Sequence, residues 1–222
     1  LNHILGAEEH YLGGVSEEER AAAVEQIAQA LSREGSAPYV IYNGASSARG
    51  ALGYVEAAAE LWEQISSNAE SAAIRNVCIP GGNGGLAAGF IYGTALLGNP
   101  FHVELISVEH EAEPLREIIS AFLKDLEKLC GVPMPCPLEQ TATLHGAYRF
   151  GGWGVITPEV EEFCIRFART EGIFIEKVYT CKTLYGMCDL AKKGYFHDGA
   201  CYLHSGGIGA LFSQYHIPGG GV

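Results

Sequence analysis

The sequence predicts an α/β protein with a doubly wound parallel sheet, on three observations. Short apolar runs alternate with segments whose apolar residues recur at helical spacing, along almost the whole chain. Glycine is abundant, 29 of 222 residues, and concentrates in the turns that follow the apolar runs. One of those turns, Pro80-Gly81-Gly82-Asn83-Gly84-Gly85, stands between an apolar run (Ile74 to Ile79) and a helical stretch (Leu86 to Leu97). Such a strand–turn–helix exposes backbone N–H groups at the positive end of a helix, where anions bind. No Gly-Lys-Ser/Thr follows, so it is not a Walker loop. A tight connection with close helix–strand packing is the alternative reading.

In chain order, Leu1 to Leu12 reads as a helix end running into a strand, and not as a natural beginning. Ser16 and Glu19 form a capping box for a helix that continues through Ala21 to Leu31 and stops at Gly35. Pro38 to Tyr42 reads as a strand, Asn43 to Ser47 as a polar turn, and Gly50 to Ile65 as an alanine-rich helix. After the central turn come a strand from Phe101 to Val108 and an amphipathic helix from Pro114 to Leu129. A proline-bearing connection leads to a strand within Thr141 to Phe150. Thr157 caps a helix with Pro158 at its first position, running to about Thr170. Ile173 to Tyr179 reads as a strand, Lys182 to Lys193 as a helix, Ala200 to His204 as a strand, and Ile208 to Tyr215 as a short helix before a loose tail, Pro218 to Val222.

Composition removes several classes. With 48 % hydrophobic and 18 % charged residues the chain can fill a sizeable core. A formal net charge of −12 argues against nucleic acid as a partner. No apolar run is long enough to span a bilayer and no signal peptide is visible, so neither a membrane nor export is expected, and the compartment expected is the cytoplasm. The seven cysteines form no zinc-spaced pairs and read as reduced thiols, with no metal expected. Cys181, read as lying in a polar loop beside Lys182, is the one to check for reactivity.

In a parallel sheet, ligands sit beyond the carboxyl ends of the strands. The turns to search are therefore Asn43–Arg49, Gly81–Gly85, Gly151–Gly154, Tyr179–Lys182 and Ser205–Gly207. His102, His145, Tyr39, Tyr42, Tyr92 and Tyr148 read as core or surface residues rather than catalytic ones.

At these turns the chain resembles a known family. Pro38-Tyr39-Val40-Ile41 with Gly44-Ala45-Ser46-Ser47-Ala48-Arg49-Gly50, then Arg169-Thr170-Glu171-Gly172, then Val178-Tyr179-Thr180-Cys181-Lys182, then Leu203-His204-Ser205-Gly206-Gly207 carry the likeness, in order and spacing. They resemble the D-cysteine desulfhydrase / 1-aminocyclopropane-1-carboxylate deaminase family of fold-type II pyridoxal-phosphate enzymes. The resemblance implies pyridoxal 5′-phosphate as cofactor, with its phosphate on Gly81, Gly82, Asn83, Gly84 and Gly85. It places Tyr179 beside the substrate, Thr180 and Ser205 near the pyridine nitrogen, and Trp153 where the family has a second active-site tyrosine. Ser46 and Ser47 are the candidate substrate contacts, although a turn cap serves them equally. Residues 1–52 would be a remnant of the family's small domain and 53–222 its large cofactor domain.

The departures matter as much. Gly81 and Gly82 stand where the family carries hydroxyls, at a cost of about 1–3 kcal/mol for each lost hydrogen bond to a charged group. Glu176-Lys177 replaces Asp-Pro, and Cys181 replaces a glycine. The family's Schiff-base lysine and its Ser-Asn-His carboxylate loop lie in an earlier segment with no counterpart here. Three readings remain open. The chain is a subunit of a two-chain lyase or deaminase acting on a small amino acid, with the lysine supplied by a second polypeptide carrying the N-terminal part of the fold, in a higher oligomer. Or it is a non-catalytic regulatory subunit of the same fold. Or it is a fragment of an ordinary single-chain enzyme.

Overall fold

The computed structural model describes residues 2–41 and 43–215. The chain divides into two compact units, Leu1–Asn43 and Gly44–Val222, a division ahead of the expected one at 52/53.

The first unit holds helix α1 (Glu17–Arg33). Its start is the predicted capping box: the Ser16 hydroxyl accepts from the Glu19 N–H, and the Glu19 carboxylate accepts from the Ser16 N–H. Residues 37–41 belong to no strand, and Tyr42 lies outside the described residues, so the expected strand at 38–42 is not found. Tyr39 and Ile41 are exposed there, with no ladder neighbour to hide them. The expected helix end and strand at 1–12 are also absent; its described residues form turns and irregular chain.

The second unit is built on four parallel strands, β1 (Ile74–Gly81), β2 (His102–Ser107), β3 (Ala142–His145) and β4 (Gly199–Tyr202), in the order β3-β2-β1-β4. Their residues alternate between two cores. Val77, Ile79, Val103 and Leu105 face the helices α2 (Ala48–Ser67), α3 (Gly85–Leu96) and α4 (Ala112–Cys130). Ile106 faces the other way, onto Tyr148 and Leu190. On that side lie α6 (Pro158–Glu171) and α7 (Thr180–Lys192), packed through Val160, Phe163, Cys164, Cys181 and Leu184. A one-turn helix, α5 (Leu138–Thr141), precedes β3, and α8 (Ile208–Gln214) follows β4. Helices on both faces of a parallel sheet are the doubly wound arrangement the alternation predicts.

Helix α3 has no polar face. Gly85 and every residue from Ala87 to Ala95 are buried, because α2, α4 and the sheet enclose it. The approach of α2 depends on glycines four residues apart. A Cβ on Gly89 would lie 2.1 Å from the Ala51 carbonyl oxygen, and one on Gly93 2.7 Å from that of Val55. The helices can touch only where side chains are missing.

One expected strand on this side is overturned. Residues 173–176 pair with no strand, and Tyr179 is instead the N-cap of α7. The cause is Glu176. Its carboxylate accepts from the N–H groups of Val178, Tyr179 and Thr180 at 2.7, 2.6 and 2.7 Å, curling the chain into a helix start. Cys181 is therefore not in a polar loop: it lies fully buried in the first turn of α7. The tail from Pro218 lies outside the described residues.

Candidate functional site

The strand order locates the site. The chain runs outward from β1 to β2 to β3, then returns to the other flank of β1 with β4, so the winding reverses between β1 and β4. A crevice opens where such strands end. Here β4 pairs with β1 only as far as Cys78, with one further bond from the Leu203 N–H to the Cys78 carbonyl. Pro80, which has no N–H to offer a ladder, lies just beyond.

A cavity of about 360 Å³ occupies that crevice, lined by Pro80, Gly82 to Ala87, Tyr179, Ser205 and, from the start of α2, Gly44 to Ser46, Gly50 and Tyr54. Its floor is the N-terminus of α3. The first helical bond runs from Ala88 N–H to Gly84 carbonyl, so the N–H groups of Gly85, Leu86 and Ala87 have no acceptor within the helix. Gly84, at φ +90°, is the N-cap and supplies no side-chain acceptor. Three donors at the helix end thus converge, with the helix dipole, on the cavity.

The glycines are required by what surrounds them. A Cβ on Gly81 would sit 2.7 Å from Leu115, one on Gly84 2.6 Å from Ile118, and one on Gly82 2.9 Å from the Tyr179 ring. At positions 81 and 82 the places a hydroxyl side chain would take are filled by Leu115 and Tyr179. An anion must therefore be held by backbone N–H groups.

Tyr179 forms one wall. Its hydroxyl accepts from the Trp153 indole N–H at 2.5 Å, and burial raises its pKa, so it is protonated at neutral pH. Trp153 itself is exposed. Its loop is held by Lys182, whose buried Nζ donates to the carbonyls of Arg149 and Gly152 at 2.9 and 2.7 Å. Burial lowers the Lys182 pKa.

The structure brings together Gly82, Asn83, Gly84, Gly85, Tyr179, Ser205 and Ser46 around one cavity, with Trp153 hydrogen-bonded to its wall. It separates three others. Gly81 is buried beneath Leu115 and Leu105 and does not line the cavity. Ser47 caps α2, its hydroxyl accepting from the Gly50 N–H at 3.1 Å. Thr180 is buried, its hydroxyl tied to Glu176, and does not line the cavity. Sequence reasoning missed Tyr54, the glycine spacing that seats α2, and the cap formed by Glu176. The spacing was visible as Gly85, Gly89 and Gly93; the cap was hidden by reading 173–179 as a strand.

No lysine reaches the cavity. Lys182 is committed to its two carbonyls, and Lys177 Nζ to Glu161 and the Gln214 carbonyl. Lys124, Lys128, Lys192 and Lys193 are exposed on helices. Among the described residues no cluster of His, Cys, Asp or Glu could hold a metal, and no helix is long and apolar enough to cross a membrane.

These features define an α/β protein with an open helix terminus facing a cavity at a sheet switch point. The chain belongs to the pyridoxal-phosphate-dependent enzyme family, whose model matches residues 1–206. The family's cofactor suits the cradle, because its phosphate is the anion the open α3 terminus lacks. A Pyrococcus horikoshii protein provisionally named 1-aminocyclopropane-1-carboxylate deaminase is 33% identical over 212 residues, 96% of this chain and 62% of that protein. A Pyrococcus furiosus protein of the same provisional name is 32% identical, over 96% of this chain and 63% of its own length. A crystal structure described as that of an ACC deaminase homologue superposes with a TM-score of 0.81 at 32% identity, covering 93% of this chain and 61% of the other. This chain thus spans less than two thirds of the length of these relatives.

Proposed function

We propose that the chain is the cofactor-holding subunit of a pyridoxal-phosphate-dependent lyase or deaminase that acts on a small amino acid, by β-elimination or a related reaction at the α-carbon. The observation that carries this reading is the α3 terminus, open to a cavity shared with Tyr179 and Ser205. When bound, the cofactor supplies an electron sink for bonds at the substrate's α-carbon. The N–H groups of Gly85 to Ala87 would hold its phosphate. Ser205 offers the ring a neutral hydroxyl partner, which keeps that sink weaker than a carboxylate would. Tyr179 Oη already accepts from Trp153, so its own proton is free to be donated toward a substrate group. Ser46, at the mouth of the cavity, is placed to contact substrate.

The lysine that binds the cofactor's aldehyde comes, in this reading, from a second polypeptide; Lys177 and Lys182 are committed to other partners. Borohydride reduction of the native, co-purified assembly tests it. A pyridoxyl group on a lysine of a second polypeptide is the expected result. An adduct on a lysine of this chain, or none at all, would overturn it, the last outcome favouring a regulatory subunit that keeps the fold without the chemistry.

A further inference from the structure

Away from the cavity, on the other face of the sheet, two cysteines meet. Cys164 lies on α6 and Cys181 in the first turn of α7, both within the buried cluster of Val160, Phe163, Ile175 and Leu184. The Cys164 thiol faces the Ile175 carbonyl at 2.9 Å and the Cys181 thiol faces the Val160 carbonyl at 3.3 Å. Val160 lies one helical turn before Cys164 on α6, so the Cys181 thiol reaches α6 beside Cys164. They differ in access. Cys164 lines an apolar cavity of about 230 Å³ together with Phe174, Leu211 and Tyr215, whereas Cys181 does not line it and is fully buried. That volume admits a small neutral molecule, since a water occupies about 30 Å³.

We infer that Cys164 and Cys181 form a peroxide-sensitive dithiol, with Cys164 the attacking and Cys181 the resolving thiol. The Cys164 sulfur attacks one peroxide oxygen: an S–O bond forms, the O–O bond breaks, and the departing hydroxide is protonated to water. Cys164 is now a sulfenic acid, oxidised by two electrons. The Cys181 sulfur then attacks Cys164: the S–S bond forms, the S–O bond breaks, and the hydroxide leaves with the Cys181 proton as a second water. The environment suits these roles. The neighbouring Cys181 and Tyr215 side chains and the Lys177 ammonium lower the Cys164 pKa, whereas the neighbouring Cys164 sulfur and burial raise that of Cys181. Burial raises the pKa of Cys78, Cys188 and Cys201, which makes them poorer nucleophiles at neutral pH.

The test treats the native chain with hydrogen peroxide, quenches, alkylates in denaturant and maps the peptides without reduction. The expected result is the loss of two of the seven thiols, a peptide linked through Cys164 and Cys181, and reversal by a thiol reductant. In Cys181→Gly, and in Cys181→Ser as a second variant should the glycine unfold the turn, the link disappears and dimedone traps a sulfenic acid on Cys164. Full alkylation of Cys164 and Cys181 after peroxide, or a link from either to a different cysteine, would overturn the inference.

Discussion

Two helices of this protein begin at the same end of the molecule's chemistry and treat their first N–H groups in opposite ways. At α7, the buried carboxylate of Glu176 takes the N–H groups of Val178, of the N-cap Tyr179 and of the first helical residue, Thr180. At α3, Gly84 offers nothing, and the donors of Gly85 to Ala87 face a cavity. The cost of unpaired buried donors explains the first arrangement. Placed side by side, the two termini separate a helix start closed by the chain's own carboxylate from one left open on a cavity.

Opening the closed terminus has the largest expected effect. Glu176→Ala leaves the N–H groups of Val178, Tyr179 and Thr180 without their acceptor, and should cost on the order of 3–5 kcal/mol, read as a lower urea midpoint. Next comes the support of the open terminus. Gly89→Ala drives a methyl against the Ala51 carbonyl, forces α2 away from α3 and should cost about 1–3 kcal/mol. Because α2 also carries Ser46 and Tyr54 to the cavity, ligand binding should weaken in a variant that is still folded at low temperature.

A subtler change closes the open terminus with the chain's own charge. Asn83→Asp places a carboxylate beside the α3 donors, as Glu176 stands beside those of α7. Stability should hold or rise by a few tenths of a kcal/mol, while affinity for a phosphate-bearing ligand falls by roughly tenfold in equilibrium dialysis. The smallest effect is alkaline. Burial raises Tyr148 and Tyr202, and a hydrogen bond to Glu159 pushes Tyr185 up to about 12, all from an ordinary 10.0. The folded state keeps protons the unfolded chain releases, so the stabilisation is intact below pH 10 and is lost as pH rises above it. Urea midpoints should therefore be lower above pH 10 than at pH 8, and Tyr185→Phe should flatten the decline.

Much of this was legible in the sequence. Alternation announced the layered sheet, because buried parallel strands need apolar runs and their crossovers need amphipathic helices. The turn at Gly81–Gly85 announced the cradle, because close backbone approach excludes side chains. The rest was hidden for local reasons. Ile173 and Ile175 mimic a strand, and only the reach of Glu176 to three successive N–H groups turns that segment into a helix start. Ser46 and Ser47 are chemically alike, and only their geometry separates a cavity residue from a cap. Lys182 reads only as the first residue of a helix; its burial beneath the Trp153 loop depends on contacts about thirty residues away in sequence.

The most direct measurement compares pyridoxal phosphate with pyridoxal, which lacks only the phosphate, by equilibrium dialysis against the native protein at low ionic strength. Charge-assisted bonds from the α3 donors predict tighter retention of the phosphorylated form by about 100-fold or more, a difference that Asn83→Asp should reduce roughly tenfold. Equal retention of the two compounds, or a difference that Asn83→Asp leaves intact, would contradict the assignment of the open terminus as the phosphate site.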